Sequence, residues 1–243
     1  MSLTKNNLLP IVKKQYLYKL QSCSKFFLVM VIVQIIGILF SISNMISRSY
    51  TSDGILTFAL MENTTTQIFI FTIICAFGGA IVINLKEAKN IDFTFVSNRI
   101  SSNLSSIAFL ITYALFGAIT FPLSACFIRV VKYFLIGNEN IFNRGFVITP
   151  AELLCSSGTT FLYIIFFTSI TYFSIILLEK SKAFIIVFIT LPVLLPRTEY
   201  FSNMIKSYGS EHNFLIFAIK VLVTSITFFL ASIIISNNME VRK

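Results

Sequence analysis

The chain has 243 residues, of which 56% are hydrophobic and 12% are charged, and its net charge is +9. A soluble globular protein has about 25% charged residues, so this composition excludes an ordinary soluble fold for most of the chain. The Lys and Arg residues stand in short segments between apolar blocks. They form no basic stripe beside aromatic residues, which argues against a nucleic-acid-binding protein.

The first segment, residues 1–25, predicts a cytoplasmic amphipathic helix. Four of its apolar residues recur at helical spacing, namely Leu9, Val12, Tyr16 and Leu20. Lys13 and Lys19 fall elsewhere on the helical circle. We expect this helix to lie along the inner membrane interface with its lysines toward anionic headgroups. A frayed basic tail is the alternative.

Five apolar blocks are long enough to cross the hydrocarbon core, which needs about 20 helical residues. They are residues 26–46, 64–85, 104–128, 159–178 and 214–235. A sixth block at residues 183–196 is shorter and contains Pro192, so it fits a re-entrant segment as well as a span. The sequence therefore predicts an all-α integral membrane protein with six transmembrane helices after one N-terminal interfacial helix.

The loops between these blocks predict the orientation. If the N-terminus is cytoplasmic, the inner segments contain 12 Lys and Arg residues and the outer loops contain 6. Positive charge favours the cytoplasmic side. We therefore expect a multi-pass protein of the cytoplasmic membrane with both termini inside, provided that residues 183–196 cross.

The predicted spans contain no Asp or Glu, and the one histidine, His212, lies in an outer loop. Ion-coupled carriers use titratable groups at membrane depth, and intramembrane hydrolases need a nucleophile or metal ligands with a base. The chain has no G-x-x-x-x-G-K-[ST] motif for ATP, and its four cysteines show no metal-ligand spacing. We expect no catalytic residue, no metal site and no cofactor in this chain. If the protein moves a substrate uphill, the free energy would therefore come from another polypeptide.

Two polar stripes lie on predicted spans. The first span carries Gln34, Gly37, Ser41 and Asn44 on one helix face, and the last span carries Lys220, Thr224 and Thr227. These residues are candidates for a translocation path or a movable helix interface. Membrane packing through small and hydroxyl residues is the alternative interpretation.

The inner loop at residues 86–103 places apolar residues between charged flanks. Its candidate contact residues are Glu87, Ile91, Phe93, Phe95, Val96, Ser97, Asn98, Arg99 and Ile100. This pattern is typical of a short interfacial helix that docks in a groove of a cytoplasmic partner. A helix lying in the headgroups is the alternative.

With this loop the chain resembles the ABC-2-type permeases, which are the membrane subunits of ATP-driven exporters. Glu87 matches the acidic position of the family, and residues 95–100 are similar to its hydrophobic–small–Ser–x–Arg turn into the third span. Val96 stands where the family often has Pro, and Asn98 separates the Ser from the Arg.

The resemblance implies a coupling loop that docks on a separate ATPase subunit, which holds ATP and Mg²⁺. It also implies a second permease, identical or a sister chain, and an outer hairpin at residues 197–213. The small size and Ile/Lys/Asn/Phe-rich composition look most like the peptide-export and peptide-immunity branch of Gram-positive bacteria. That branch includes lantibiotic self-protection permeases and phenol-soluble modulin exporter permeases.

The function that this resemblance implies is export of amphipathic or hydrophobic peptides, in toxin export or self-protection, by alternating access. A lipid exporter is one alternative. A non-transporting six-helix scaffold or sensor that recruits a cytoplasmic partner through the same loop is the other.

Overall fold

The computed structural model describes residues 8–46, 50–53, 56–59, 65–84, 99–136, 150–181, 184 and 214–238. Six helices lie in these ranges: α1 (Leu8–Ser22), α2 (Ser24–Ile46), α3 (Thr65–Ile83), α4 (Arg99–Ile136), α5 (Pro150–Lys180) and α6 (Phe214–Asn237). Between α2 and α3, strand β1 (Tyr50–Asp53) pairs antiparallel with strand β2 (Leu56–Ala59), with Asp53 opposite Leu56. The sequence analysis did not predict this hairpin, and the other regular elements of the described part are all helices.

Five helices of the described part, α2 to α6, are long and apolar enough to cross a membrane. The chain is therefore a multi-pass membrane protein, as its composition predicts. A helix satisfies all of its internal backbone hydrogen bonds, which a segment without water must do. The predicted sixth span at residues 183–196 lies outside the described residues except for Phe184, and so does the predicted outer hairpin at residues 197–213.

Two of the spanning helices are longer than the apolar blocks that predicted them. α4 has 38 residues and is about 57 Å long at the usual rise, against a hydrocarbon core of about 30 Å. It continues through Pro122, which cannot donate a backbone hydrogen bond to the preceding turn. α5 begins at Pro150, where the missing N–H is harmless because the first turn has no acceptor for it.

The chain divides into two compact units. Unit 1 comprises Met1–Cys23, Phe77–Thr112 and Ile165–Lys243, and unit 2 comprises Ser24–Ala76 and Tyr113–Ile164. Unit 1 thus contains α1, the end of α3, the beginning of α4, the second half of α5 and α6. Unit 2 contains α2 and the remaining parts of α3, α4 and α5.

Apolar and aromatic packing dominates unit 2. Its buried cluster consists of Ile38, Ile68, Phe121 and Ile128. At Gly117 of α4, an added Cβ would lie 2.8 Å from Cδ1 of Ile164 and 3.1 Å from Sδ of Met30. The glycine therefore lets side chains of α2 and α5 approach the α4 backbone, which is the usual role of small residues between membrane helices.

In unit 1, aromatic rings join α5 to α6. The ring of Tyr172 meets that of Phe229 edge-on with centroids 6.0 Å apart, and Phe173 lies 5.4 Å from Phe228. The buried residues of α6 recur at helical spacing and are Phe217, Val221, Ser225, Phe229 and Ser232. One face of α6 therefore packs on the protein.

Candidate functional site at the start of the fourth helix

The nine residues predicted to contact a cytoplasmic partner divide between two parts of the chain. The seven at positions 87–98 lie outside the described residues. Arg99 and Ile100 are the first two residues of α4, so this helix begins inside the predicted coupling loop. The start of α4 is therefore the described part of the protein that adjoins the loop.

Arg99 binds the C-terminal end of α6. Its Nη1 atom donates a hydrogen bond of 3.0 Å to the carbonyl oxygen of Ser236, the residue before the last of α6. The last four carbonyls of a helix have no partner within the helix and carry partial negative charge. A guanidinium is a favourable partner there, and this contact ties the first turn of α4 to the end of α6.

Lys19 connects α1 to the same part of α4. Its side chain is only 5% exposed, and Nζ donates to the Ser102 carbonyl (3.0 Å), to Ser105 Oγ (2.8 Å) and to Ser106 Oγ (2.7 Å). The three acceptors lie on one face of α4 because they are spaced by three and four residues. The prediction that the lysines of α1 point to headgroups is wrong for Lys19, since three oxygens within the protein compensate the cost of burying its charge.

α5 also binds the beginning of α4. The buried Tyr172 donates from its hydroxyl to Oδ1 of Asn103 over 2.9 Å. A tyrosine in an apolar interior needs such a partner for its O–H group. The hydrogen bond fixes α5 against the second turn of α4.

These contacts define a junction at residues 99–106, which we call the α4 junction. Three helices of unit 1 hydrogen-bond to it: α1 through Lys19, α5 through Tyr172 and α6 through Ser236. All four helix segments belong to the same compact unit. Two of the contacts use a cation, and hydrogen bonds to charged groups are about twice as strong as neutral ones.

Four buried polar side-chain atoms of unit 1 have no hydrogen-bond partner among the residues that the structure describes. They are both amide atoms of Gln15, Nδ2 of Asn103 and Oδ1 of Asn84. Gln15 lies one turn before Lys19 on α1, and Asn103 lies within the junction. A buried polar group without a partner costs about 1–3 kcal/mol, so unit 1 retains polar binding capacity that these contacts do not use.

The polar stripe predicted on the first span lies between α2 and α3. Nε2 of Gln34 donates to Oγ1 of Thr72 over 3.2 Å, and a Cβ at Gly37 would lie 3.2 Å from Cα of Ile68. Ser41 is fully buried, while the side chain of Asn44 lies outside the described part. The contacts of Gln34 and Gly37 favour the packing interpretation over a translocation path.

The stripe predicted on the last span does not coincide with the buried face of α6. Thr227 is exposed, and Lys220 and Thr224 are half-buried. Both threonine hydroxyls donate to carbonyls of their own helix, Thr224 to Lys220 and Thr227 to Thr224. Both hydroxyls thus have hydrogen-bond partners within α6. These hydrogen bonds do not distinguish a translocation path from helix packing, so the stripe stays a candidate surface.

Replacing Gln34 and Thr72 together tests these two interpretations of the first stripe. We expect the free energy of unfolding of Gln34→Leu/Thr72→Val to lie within about 1 kcal/mol of that of the native protein, because both hydrogen-bond partners are removed at once. Thr72→Val alone should cost about 1–3 kcal/mol, because it removes the hydroxyl that Gln34 binds. Thermal unfolding in detergent measures both. A double variant that stays stable but loses the protein's activity in cells would contradict the packing interpretation.

The sequence analysis missed the α4 junction, although a signal for it was present. Polar residues crowd the segment at residues 99–106, which reads Arg-Ile-Ser-Ser-Asn-Leu-Ser-Ser, at the head of an otherwise apolar helix. Serines spaced by three and four residues on one face predict a polar partner from another helix.

Comparison of the chain with protein-family models, with curated proteins and with solved structures found no match.

Proposed function

We propose that this protein is the membrane subunit of an ATP-driven exporter of the ABC-2 type, which moves amphipathic or hydrophobic peptides out of the cell. In this proposal six spans leave both termini in the cytoplasm. A separate ATPase subunit binds the loop at residues 86–103, and a second permease completes the path. The observation that supports it most directly is the α4 junction, which adjoins this loop and holds three other helices.

A coupling loop is useful only if its displacement reaches the helices that line the path. In this chain the loop continues directly into α4, and the first two turns of α4 are bonded to α1, α5 and α6. In this proposal, a movement of the loop displaces the start of α4 together with the segments of α1, α5 and α6 that are hydrogen-bonded to it. Networks of hydrogen bonds between rigid helices carry energetic coupling between distant sites.

The distribution of charge supports an external source of energy. The acidic residues of the described helices are Glu152 and Glu179, both exposed and both close to the ends of α5. Among the buried polar side chains of the described part, Lys19 is the one that carries a charge. Ion-coupled carriers place titratable groups along the membrane path, whereas a permease driven by ATPase subunits does not need them.

Purification with native partners tests the proposal. We expect a P-loop ATPase to copurify, and amphipathic peptides to stimulate its hydrolysis of ATP. Phe95→Ala should weaken the association, because Phe95 is an apolar contact in the predicted loop. Copurification of a signalling protein without an ATPase would favour a scaffold, and stimulation by lipids but not by peptides would favour a lipid exporter.

Arg99→Gln tests whether the junction transmits the movement. We expect the variant to retain the ATPase but to export roughly 2- to 30-fold less peptide per ATP, which corresponds to about 0.5–2 kcal/mol of coupling. Arg129→Gln is the matched control, because Arg129 lies in the same helix away from the junction. Equal export per ATP in the two variants would contradict the role given to Arg99.

A further inference from the structure

Buried polar side chains are concentrated in unit 1. Of the sixteen buried polar or charged residues in the described part of the chain, twelve belong to this unit. The four in unit 2 are Gln34, Ser41, Thr72 and Thr160. The interior of unit 1 therefore offers hydrogen-bond partners to a polar ligand.

Two of the buried side chains in unit 1 are amides with unpaired atoms. Gln15 is 1% exposed, and neither its Oε1 nor its Nε2 has a partner among the described residues. Asn103 is 5% exposed, and its Nδ2 is likewise unpaired. Buried polar side-chain atoms nearly always have a hydrogen-bond partner, and bound water provides it where protein does not.

Both amides lie beside the ammonium group of Lys19. Gln15 precedes Lys19 by four residues and so lies on the same side of α1, one turn away. Asn103 follows Ser102, whose carbonyl oxygen accepts a hydrogen bond of 3.0 Å from Nζ of Lys19. One turn of helix rises only about 5.4 Å, so the two amides belong to the same buried region at the α4 junction.

The unpaired atoms identify the chemistry of the ligand. Oε1 of Gln15 needs a hydrogen-bond donor, whereas Nε2 of Gln15 and Nδ2 of Asn103 need acceptors. An anion would accept from the two N–H groups and leave Oε1 unpaired. A metal cation would bind Oε1 alone, beside the positive charge of Lys19. Water both donates and accepts, and exchanging the oxygen and nitrogen of the Gln15 amide leaves the same requirement.

We propose that the α4 junction holds a cluster of internal water molecules shared by Gln15 and Asn103. A buried water makes about three hydrogen bonds, and the two amides provide partners for such a cluster on α1 and on α4. Water can exchange its partners as neighbouring helices shift, so it keeps the amides paired while the junction moves. The proposal does not depend on the transport function.

Radiolytic footprinting of the full-length protein in lipid nanodiscs tests the proposal. An X-ray pulse converts bound water into hydroxyl radicals, which oxidise the side chain beside it. The reporter is the fully buried Tyr172, because its hydroxyl donates to Oδ1 of the Asn103 amide. We expect mass spectrometry to find oxygen from isotopically labelled water on Tyr172.

Tyr113 of unit 2 is the matched control residue. It is as fully buried as Tyr172, but its hydroxyl lies 3.2 Å from Sγ of Cys75. Neither of these two side chains adjoins the unpaired amides in the chain. We therefore expect no label on Tyr113 or on Cys75.

Gln15→Leu tests whether the two amides share the water. We expect the labelling of Tyr172 to decrease, because the variant removes both polar atoms that α1 offers to the cluster. Gln34→Leu is the matched control: Gln34 is also buried, but its amide pairs with Thr72, so the labelling of Tyr172 should not change. If Gln15→Leu fails to fold, the smaller apolar substitution Gln15→Val replaces it.

Three outcomes would overturn the proposal. An unlabelled Tyr172 would show that protein groups cover the amides. Equal labelling of Tyr172 and Tyr113 would show that radicals reach buried side chains from bulk solvent. Unchanged labelling of Tyr172 in the Gln15 variant would show that the two amides do not share a water cluster.

Discussion

Replacing Ser105 and Ser106 by alanine is expected to destabilise the protein more than replacing Lys19 itself. The double variant removes two oxygens that bind Nζ of Lys19, the hydroxyls of Ser105 and Ser106, and leaves the ammonium group in a buried site. Each hydrogen bond to a charged group contributes about 1.5–3 kcal/mol, so we expect the double variant to lose about 3 kcal/mol or more. Lys19→Met removes the buried charge itself, so no ammonium group is left without hydrogen-bond acceptors. It should lower the free energy of unfolding by about 1 kcal/mol.

The serines tolerate the loss of the lysine because they keep other hydrogen bonds. Both hydroxyls donate to the Ser102 carbonyl, Ser105 over 2.8 Å and Ser106 over 3.0 Å. The triple variant Lys19→Met/Ser105→Ala/Ser106→Ala should therefore recover most of the stability that Ser105→Ala/Ser106→Ala loses. Recovery after a further substitution is the signature of a buried charge, because independent sites would give additive losses.

Unfolding midpoints of the full-length variants in one detergent measure this order of stabilities. Lys14→Met is the matched control, because Lys14 lies on the exposed side of the same helix and surface substitutions usually change stability by less than about 0.5 kcal/mol. If Ser105→Ala/Ser106→Ala proves no worse than Lys19→Met, the two hydroxyls do not hold the ammonium group.

The parts of the fold that could be predicted are the helices whose length is fixed by the thickness of the bilayer. The apolar blocks at residues 26–46 and 64–85 agree with α2 and α3 within a few residues, because hydrocarbon thickness fixes the length of an apolar helix. The ends of α4 and α5 could not be placed in this way. Both helices continue into polar sequence, where tertiary contacts such as that of Arg99 with Ser236 stabilise the helix.

The orientation of α1 shows why side-chain contacts were harder to predict. The spacing of apolar residues predicted the helix, but the side that packs on the protein carries Gln15 and Lys19. The partners of Lys19 lie more than 80 residues further along the chain. Periodicity within a single helix carries no information about such partners, and Lys13, Lys14 and Lys19 are chemically identical until α4 is placed beside them.

Gly37→Leu is expected to separate α2 from α3 and to destabilise unit 2. A Cβ at this position would lie 3.2 Å from Cα of Ile68 and 3.4 Å from Cδ2 of Phe71. The first neighbour is a backbone atom, which cannot rotate away, so the added side chain must push the helices apart. Overpacking of this kind costs about 1–3 kcal/mol or more, and the hydrogen bond between Gln34 and Thr72 one turn away would be strained as well.

Gly78→Leu is the matched control for this substitution. A Cβ at Gly78 would meet no atom of the described residues within 4 Å, so the same side chain should be accommodated. Glycine within a helix is less favourable than leucine by up to about 1 kcal/mol, so this variant should be neutral or slightly stabilised. Unfolding midpoints of the two variants in the same detergent give the comparison. Equal midpoints would show that close contact between α2 and α3 at Gly37 does not govern stability.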